Sequence, residues 1–406
     1  MKRFLLLIFF LAITALNVNA IPLTKGSLVI TQKTTARFLS SHPASTKEIF
    51  QFSIYYGGRV ATGYFRPRQR PLLSPEAAYL MGQNAPKISL FQGKLRRNKN
   101  SGFHVAASLD GNKLQINFTD SREIYSATVF IQKQFGPFHA KIHRVPAFFK
   151  IDNEPIIKSL PANSSLDNNS IPEALEASTQ ANAYTIQIST VADPELSILN
   201  GSDSAANSKI LSIINTAETI YENQLSLGFS VIKQTVLPSG TFTSTLDPTG
   251  LLNEFTSYEN HYDNSDKDSA HLFTGRNLSG STIGLAYLSV MCLAPSFTYG
   301  LTQVKNNEAL AGLTFAHETG HNLGASHDDI NPSLMSSSIS PSRNSFSNLS
   351  LSQINSHISN YTSCLLDSNS DRGGENNPDY QIGKLNVTSG KQFKMVLRLN
   401  SGDGTG

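Results

Sequence analysis

The run His317-Glu318-Thr319-Gly320-His321-Asn322-Leu323-Gly324-Ala325-Ser326-His327 reads H-E-x-x-H-x-x-G-x-x-H. Histidines four apart on a helix lie one turn apart on the same face, so two imidazoles can meet one metal ion. A glycine three residues later can end the helix in a left-handed turn and bring His327 back as a third ligand. Three histidines leave a fourth tetrahedral position for water, the arrangement of a catalytic zinc site. Glu318 follows the first ligand, so its carboxylate can act as base for water acidified by the metal and as acid for the leaving amine. Met335, in Ser333-Leu334-Met335-Ser336, stands where a methionine turn would lie beneath such a site.

These ligands need a helix, and the spacing predicts one over Asn307 to Leu323, ended by Gly324. Around it the pattern alternates. Tyr184 to Thr190, Phe229 to Ile232 and Ile283 to Leu288 are strand-like, while Ser208 to Leu227 and Ser350 to Asn360 have helical spacing. Earlier segments, Ile49 to Tyr56, Val105 to Leu109, Lys113 to Phe118 and Tyr125 to Gln132, alternate as strands, with a hairpin turn at Leu109-Asp110-Gly111-Asn112. Asn386 to Leu399 is expected to hold one or two more. His42, His104, His139, His143, His261, His271 and His357 have no ligand spacing and are expected in ordinary polar or core roles.

The chain has 406 residues, 39% of them hydrophobic, enough for a core. A net charge of +3 with 16% charged residues argues against nucleic acid as a partner. The basic runs at Arg66 to Arg70 and Lys94 to Lys99 read as solvated loops. Lys2 and Arg3, an apolar run from Phe4 to Leu16, and Val18-Asn19-Ala20 have the order of a secretory signal peptide over residues 1–20. No later stretch is long and apolar enough for a membrane span, so a secreted protein without a stable membrane anchor is expected. In an exported chain the two cysteines, Cys292 and Cys364, most simply form one disulfide.

The segment from about Tyr184 to Leu366 resembles the adamalysin, or reprolysin, branch of the metzincin zinc metallopeptidases. The zinc motif followed by Asp328 carries the resemblance, with Asp268-Ser269-Ala270-His271-Leu272-Phe273-Thr274-Gly275-Arg276, Ile283-Gly284-Leu285-Ala286-Tyr287 leading to Met291-Cys292, and Phe346-Ser347-Asn348-Leu349-Ser350 before Cys364-Leu365. It implies an α/β catalytic domain, a twisted and mostly parallel sheet with helices, cleft by the zinc site. It also implies a Cys292–Cys364 bridge and a cleft edge at Ile283, Gly284, Leu285 and Ala286, where a protein or peptide substrate adds as an extended strand. Fainter likeness at Phe91 to Lys94 and Ala106 to Gly111 implies a β-rich propeptide.

The expected organisation is a signal peptide at 1–20, a propeptide-like domain at 21–150, a polar linker at 151–182, the metallopeptidase domain at 183–367 and an extension at 368–406. The expected product is a secreted zinc endopeptidase made as a proenzyme. Two other readings stay open: an extracellular zinc-fold binding or toxin-like module that cuts nothing, and a zinc amidase acting on cell-wall or small substrates. No cysteine precedes Cys292, so a propeptide thiolate cannot restrain the metal.

Overall fold

The computed structural model describes residues 27–30, most of 50–150, and 184–367 apart from 306 and 330–332. The expected leader, linker and C-terminal extension, including Asn386 to Leu399, lie outside the described residues. The chain divides into two compact units. One comprises residues 1–69 and 87–146, the other 70–86 and 147–406.

The first unit is a closed barrel of strands β1 (Ser27–Ile30), β2 (Phe50–Tyr56), β3 (Arg59–Pro67), β4 (Ile88–Asn98), β5 (Ser101–Asp110), β6 (Lys113–Thr119), β7 (Ile124–Phe130) and β8 (Phe138–Arg144). Each pairs antiparallel with its sequence neighbour, and β1 closes on β8. Closure removes both sheet edges. Val105, Leu114, Ile116, Phe118 and Ile124 are fully buried. Gly111, with φ +58°, makes the expected tight turn between β5 and β6.

The second unit begins inside the β3–β4 connection with helix α1 (Pro75–Met81) and resumes at β9 (Phe149–Lys150). Then follow β10 (Tyr184–Ala192), α2 (Pro194–Asn200), α3 (Asp203–Leu225), β11 (Leu227–Val236), α4 (Pro248–Tyr262), β12 (Ser269–Thr274), β13 (Gly284–Ala286), β14 (Tyr299–Gln303), α5 (Glu308–Asn322), β15 (Ser338–Ile339), α6 (Asn348–Asn360) and β16 (Leu366–Asp367). The main sheet runs β11-β10-β12-β14-β13, with β16 beside the start of β10. Its first four strands are parallel, while β13 runs antiparallel to β14 at one edge. The all-buried pattern of β12 and β14 is that of strands covered on both faces. The mixed α/β class expected for this part of the chain is what the structure shows.

Helix α5 is buried along its whole length, which explains its apolar run and small residues. Asn307 caps it, its Oδ1 accepting from the Leu310 N–H at 3.0 Å. Glu308 holds Lys209 Nζ at 2.8 Å and accepts from Ser212, both on α3. The Tyr221 hydroxyl of α3 donates to the Ala316 carbonyl at 2.7 Å. Gly312 lets the two helices approach, since a methyl there would stand 3.0 Å from the Thr216 side chain. Cys292 and Cys364 are joined in a disulfide.

Candidate metal centre

Helix α5 places His317 and His321 on one face, and Gly324, at φ +91°, turns the chain so that His327 returns to them. The ligating atoms of the three lie within 4.8 Å of one another. His317 and His321 are buried and His327 is half-buried, so the cluster opens to solvent on its His327 side.

Backbone carbonyls fix the tautomers. His317 Nδ1 donates to the Leu334 carbonyl at 2.7 Å, and His321 Nδ1 to the Ala325 carbonyl at 2.6 Å. A carbonyl only accepts, so each Nδ1 carries the hydrogen and each Nε2 keeps a lone pair. The two Nε2 atoms stand 2.9 Å apart. Burial holds both rings neutral. His317 is lowered to about 3, and His321 falls well below the usual imidazole range. Two neutral nitrogens facing each other through their lone pairs call for a cation between them. The donor set, three imidazoles, fits zinc.

Met335 lies under the cluster, fully buried. A methyl on Gly320 would stand 2.6 Å from its sulfur, so the helix needs glycine at that turn. The same loop supplies the Leu334 carbonyl to His317 and is pinned by the Leu334 N–H donating to Ser345 O at 2.7 Å. Asp328, next to the third histidine, ties this loop to α6. Its N–H donates to Met335 O at 2.7 Å, and its carboxylate accepts from the Ser347 hydroxyl.

Glu318 is buried, with Oε1 lacking a hydrogen-bond partner, and burial pushes its carboxyl well above the ordinary range. Across from it runs β13. A methyl on Gly284 would stand 2.3 Å from Glu318 Oε1. Ile283, Leu285 and Ala286 are buried beside it, and among the described residues no strand pairs with the outer edge of β13.

Sequence reasoning missed the connection between this strand and the metal helix. After β13, the Ser289 N–H donates to His321 O at 2.8 Å, and the Val290 and Met291 N–H groups both donate to Asn322 O at 3.0 Å. They satisfy carbonyls that a helix end leaves open. The Asn322 side chain returns the contact, donating to Tyr287 O at 2.8 Å. His357 of α6 fastens the segment, its Nε2 donating to Met291 O at 2.8 Å and its Nδ1 lying 3.2 Å from Ser289 Oγ. Ser289 and Cys292 take φ of 58° and 57°, unusual without glycine, under these constraints. The spacing of His357 gave no hint of this. His271 is a core histidine, as expected, its Nε2 2.8 Å from Thr302 Oγ1.

Two buried histidines on a helix and a half-buried third from the turn after it, beside a buried glutamate and under a sheet edge, define a metallopeptidase type of centre. Residues 182–374 match Metallo-peptidase family M12 in its Reprolysin_5 branch. A 63-residue stretch, 15% of this chain, is 49% identical to the snake venom metalloproteinase trimerelysin-2 of Protobothrops flavoviridis and covers 31% of that protein. A 65-residue stretch, 16% of the chain, is 46% identical to the zinc metalloproteinase-disintegrin-like brevilysin H2a of Gloydius brevicauda and covers 15% of it. The chain thus spans about a third or less of the curated relatives it matches. The solved metalloproteinase-II from Bacteroides fragilis aligns over 77% of this chain and 92% of its own, at 15% identity and TM-score 0.48. Residues 182–374 thus resemble the reprolysin, or adamalysin, branch of the metzincins.

Proposed function

We propose that the chain is a secreted zinc metalloendopeptidase made as a proenzyme, with the signal peptide at 1–20, the propeptide at 21–150 and the maturation cut within 151–182. The observation that carries this is the facing pair of Nε2 lone pairs on His317 and His321 beside the buried Glu318. His317, His321 and His327 hold the metal. When bound, zinc supplies a Lewis acid that acidifies water and polarises a carbonyl. Glu318 takes the water's proton at its carboxylate and returns it to the leaving amine. Gly284, Leu285 and Ala286 offer backbone groups at a sheet edge, so an extended peptide adds as a further strand, with Ile283 at its end. Met335 seats the helix, and the Cys292–Cys364 bridge holds the segment that closes it. Among the described residues no helix is long and apolar enough to cross a membrane.

The test uses secreted protein, cut in the linker, on a peptide library. Glu318→Ala is expected to retain one zinc per chain and to lose about 10²- to 10⁴-fold in kcat, the usual share of a general base. A chelator should abolish cleavage and added zinc restore it. Near-normal turnover by the Ala variant would overturn the mechanism. A wild-type protein that binds zinc yet cuts nothing would favour a binding module.

A further inference from the structure

The strand order leaves β11 at the sheet edge opposite β13. That edge is taken by a segment from the β3–β4 connection. Leu73 bridges Val231 in parallel. The Val231 N–H donates to Leu72 O at 2.7 Å, and the Ser74 N–H donates to Val231 O at 2.8 Å. The segment then turns straight into α1. The Ser74 hydroxyl accepts from the Ala77 N–H at 3.1 Å, Pro75 opens the first turn, and Gly82 closes the helix with φ +55°. Leu72 is 2% exposed and Ala77 3%, although the segment lies in a connection between barrel strands, where exposed polar chain is the usual expectation. A second pairing, β9 with β15, joins Phe149 to Ile339 and Lys150 to Ser338.

We infer that residues 71–82 are a latch, an extended strand followed by a capped helix, that docks on the outer edge of β11 and keeps the N-terminal region attached after the linker is cut. The occupant is this chain's own segment. Two main-chain hydrogen bonds set its register, Leu72 is its anchor, and the cap preorganises the helix so that little order is lost on docking. Both pairings lie N-terminal to residue 151, so a cut within 151–182 leaves them intact. The latch occupies the edge away from β13 and does not compete with a peptide there. Maturation is therefore two events, a cut and a later release. This rests on reading 21–150 as the propeptide, but the test does not require activity.

The experiment places a site-specific protease sequence between Asn163 and Asn169 of the full chain, cuts it, and follows the fragments by size exclusion at micromolar concentration. The wild-type fragments are expected to co-elute. Leu72→Ala is expected to weaken their association by about 10- to 100-fold, the value of a buried leucine side chain. A synthetic peptide of residues 70–83, in excess, should displace the wild-type N-terminal fragment. Fragments that part at once in the wild type, or a Leu72→Ala pair as firmly joined as wild type, would overturn the latch. If Leu72→Ala does not fold, the peptide competition decides alone, and failure to displace counts against it. Peptide cleavage by the separated C-terminal fragment is scored independently, so loss of the protease reading leaves its own mark.

Discussion

Gly284 faces Glu318 so closely that a side chain at 284 would meet the Glu318 carboxylate at 2.3 Å and the Thr314 methyl at 2.6 Å. Glycine here is a requirement of the carboxylate opposite, rather than of the strand's own backbone. Gly284→Ala is expected to bind zinc as tightly as wild type and to lose about 10²-fold in kcat, because a displacement near 1 Å at a catalytic group costs that much. Zinc stoichiometry and steady-state kinetics on one peptide check it. A normal kcat would show that the carboxylate does not need its observed place.

Gly320 and Met335 are paired in the same way beneath the metal helix. Alanine in a helix is ordinarily favoured over glycine by about 1 kcal/mol. At 320 its methyl would stand 2.6 Å from a sulfur that has nowhere to go, and overpacking costs about 1–3 kcal/mol. Gly320→Ala is therefore expected to be destabilising. Met335→Ala should cost about 2–5 kcal/mol through its cavity. The double variant should cost less than the two singles together, since the new methyl occupies space the methionine vacates. Urea unfolding of the set reads the coupling.

The Cys292–Cys364 bridge closes a 72-residue separation. Replacing both with serine is expected to cost about 4 kcal/mol in the chain-entropy account. Cys292 ends the segment that caps the metal helix at His321 and Asn322. Zinc affinity should therefore fall along with the unfolding midpoint. Unchanged affinity at reduced stability would mean that the segment holds its place unaided.

Glu259 on α4 is buried, with Lys267 Nζ 3.2 Å from Oε2 and Asp263 close by. Lys267 also meets Asp263, which Lys233, Ser189 and Ser265 contact in turn. Burial pushes Glu259 up to about 7, against the pull of Lys267. A raised carboxyl favours the protonated form in the folded state. Its cost is therefore absent below the unfolded value, near 4.5, and complete above about 7. Relative to Glu259→Gln, the wild type should lose about 3 kcal/mol between pH 4.5 and 7.5, at about 1.4 kcal/mol per pH unit. Asp263 has the opposite sign. Burial opposes its ionisation, but the bonds from Ser265, Lys233 and Ser189 outweigh it and hold it below the usual range. Its contribution persists above that range and fails only in strong acid. Denaturation of both proteins across this window separates the two. A constant difference would refute the raised carboxyl.

What the sequence disclosed was what is local. The histidine spacing, the Gly324 turn and the alternating strands are written in neighbouring residues, and the strands appear where expected, though β5 starts four residues before its expected limit and β11 ends four residues beyond its own. The expected helix over Ser208 to Leu227 instead begins at Asp203, where the Ser202 side chain caps it through the Ala205 N–H. It ends at Leu225, because Leu227 opens β11. Pairings between distant segments stayed hidden. Nothing near Ser289 tells that its N–H will close a helix at His321, and nothing near Leu72 tells that it will lie on Val231. Such contacts answer to backbone groups left over once the sheet and helix are assembled, and the sequence between them carries no periodicity to report it.

The occupied β11 edge bears on how this domain behaves once separated. An open parallel edge is a template for unwanted strand pairing, and the usual defences are charge, brevity or a cover. On β11, Lys233 is the cation near the middle, yet it is turned to Asp263. Without residues 72–74, the Val231 N–H and carbonyl would lose their partners and face solvent. A recombinant piece that starts at Tyr184 would therefore carry an exposed aggregation seam that the longer chain keeps sealed.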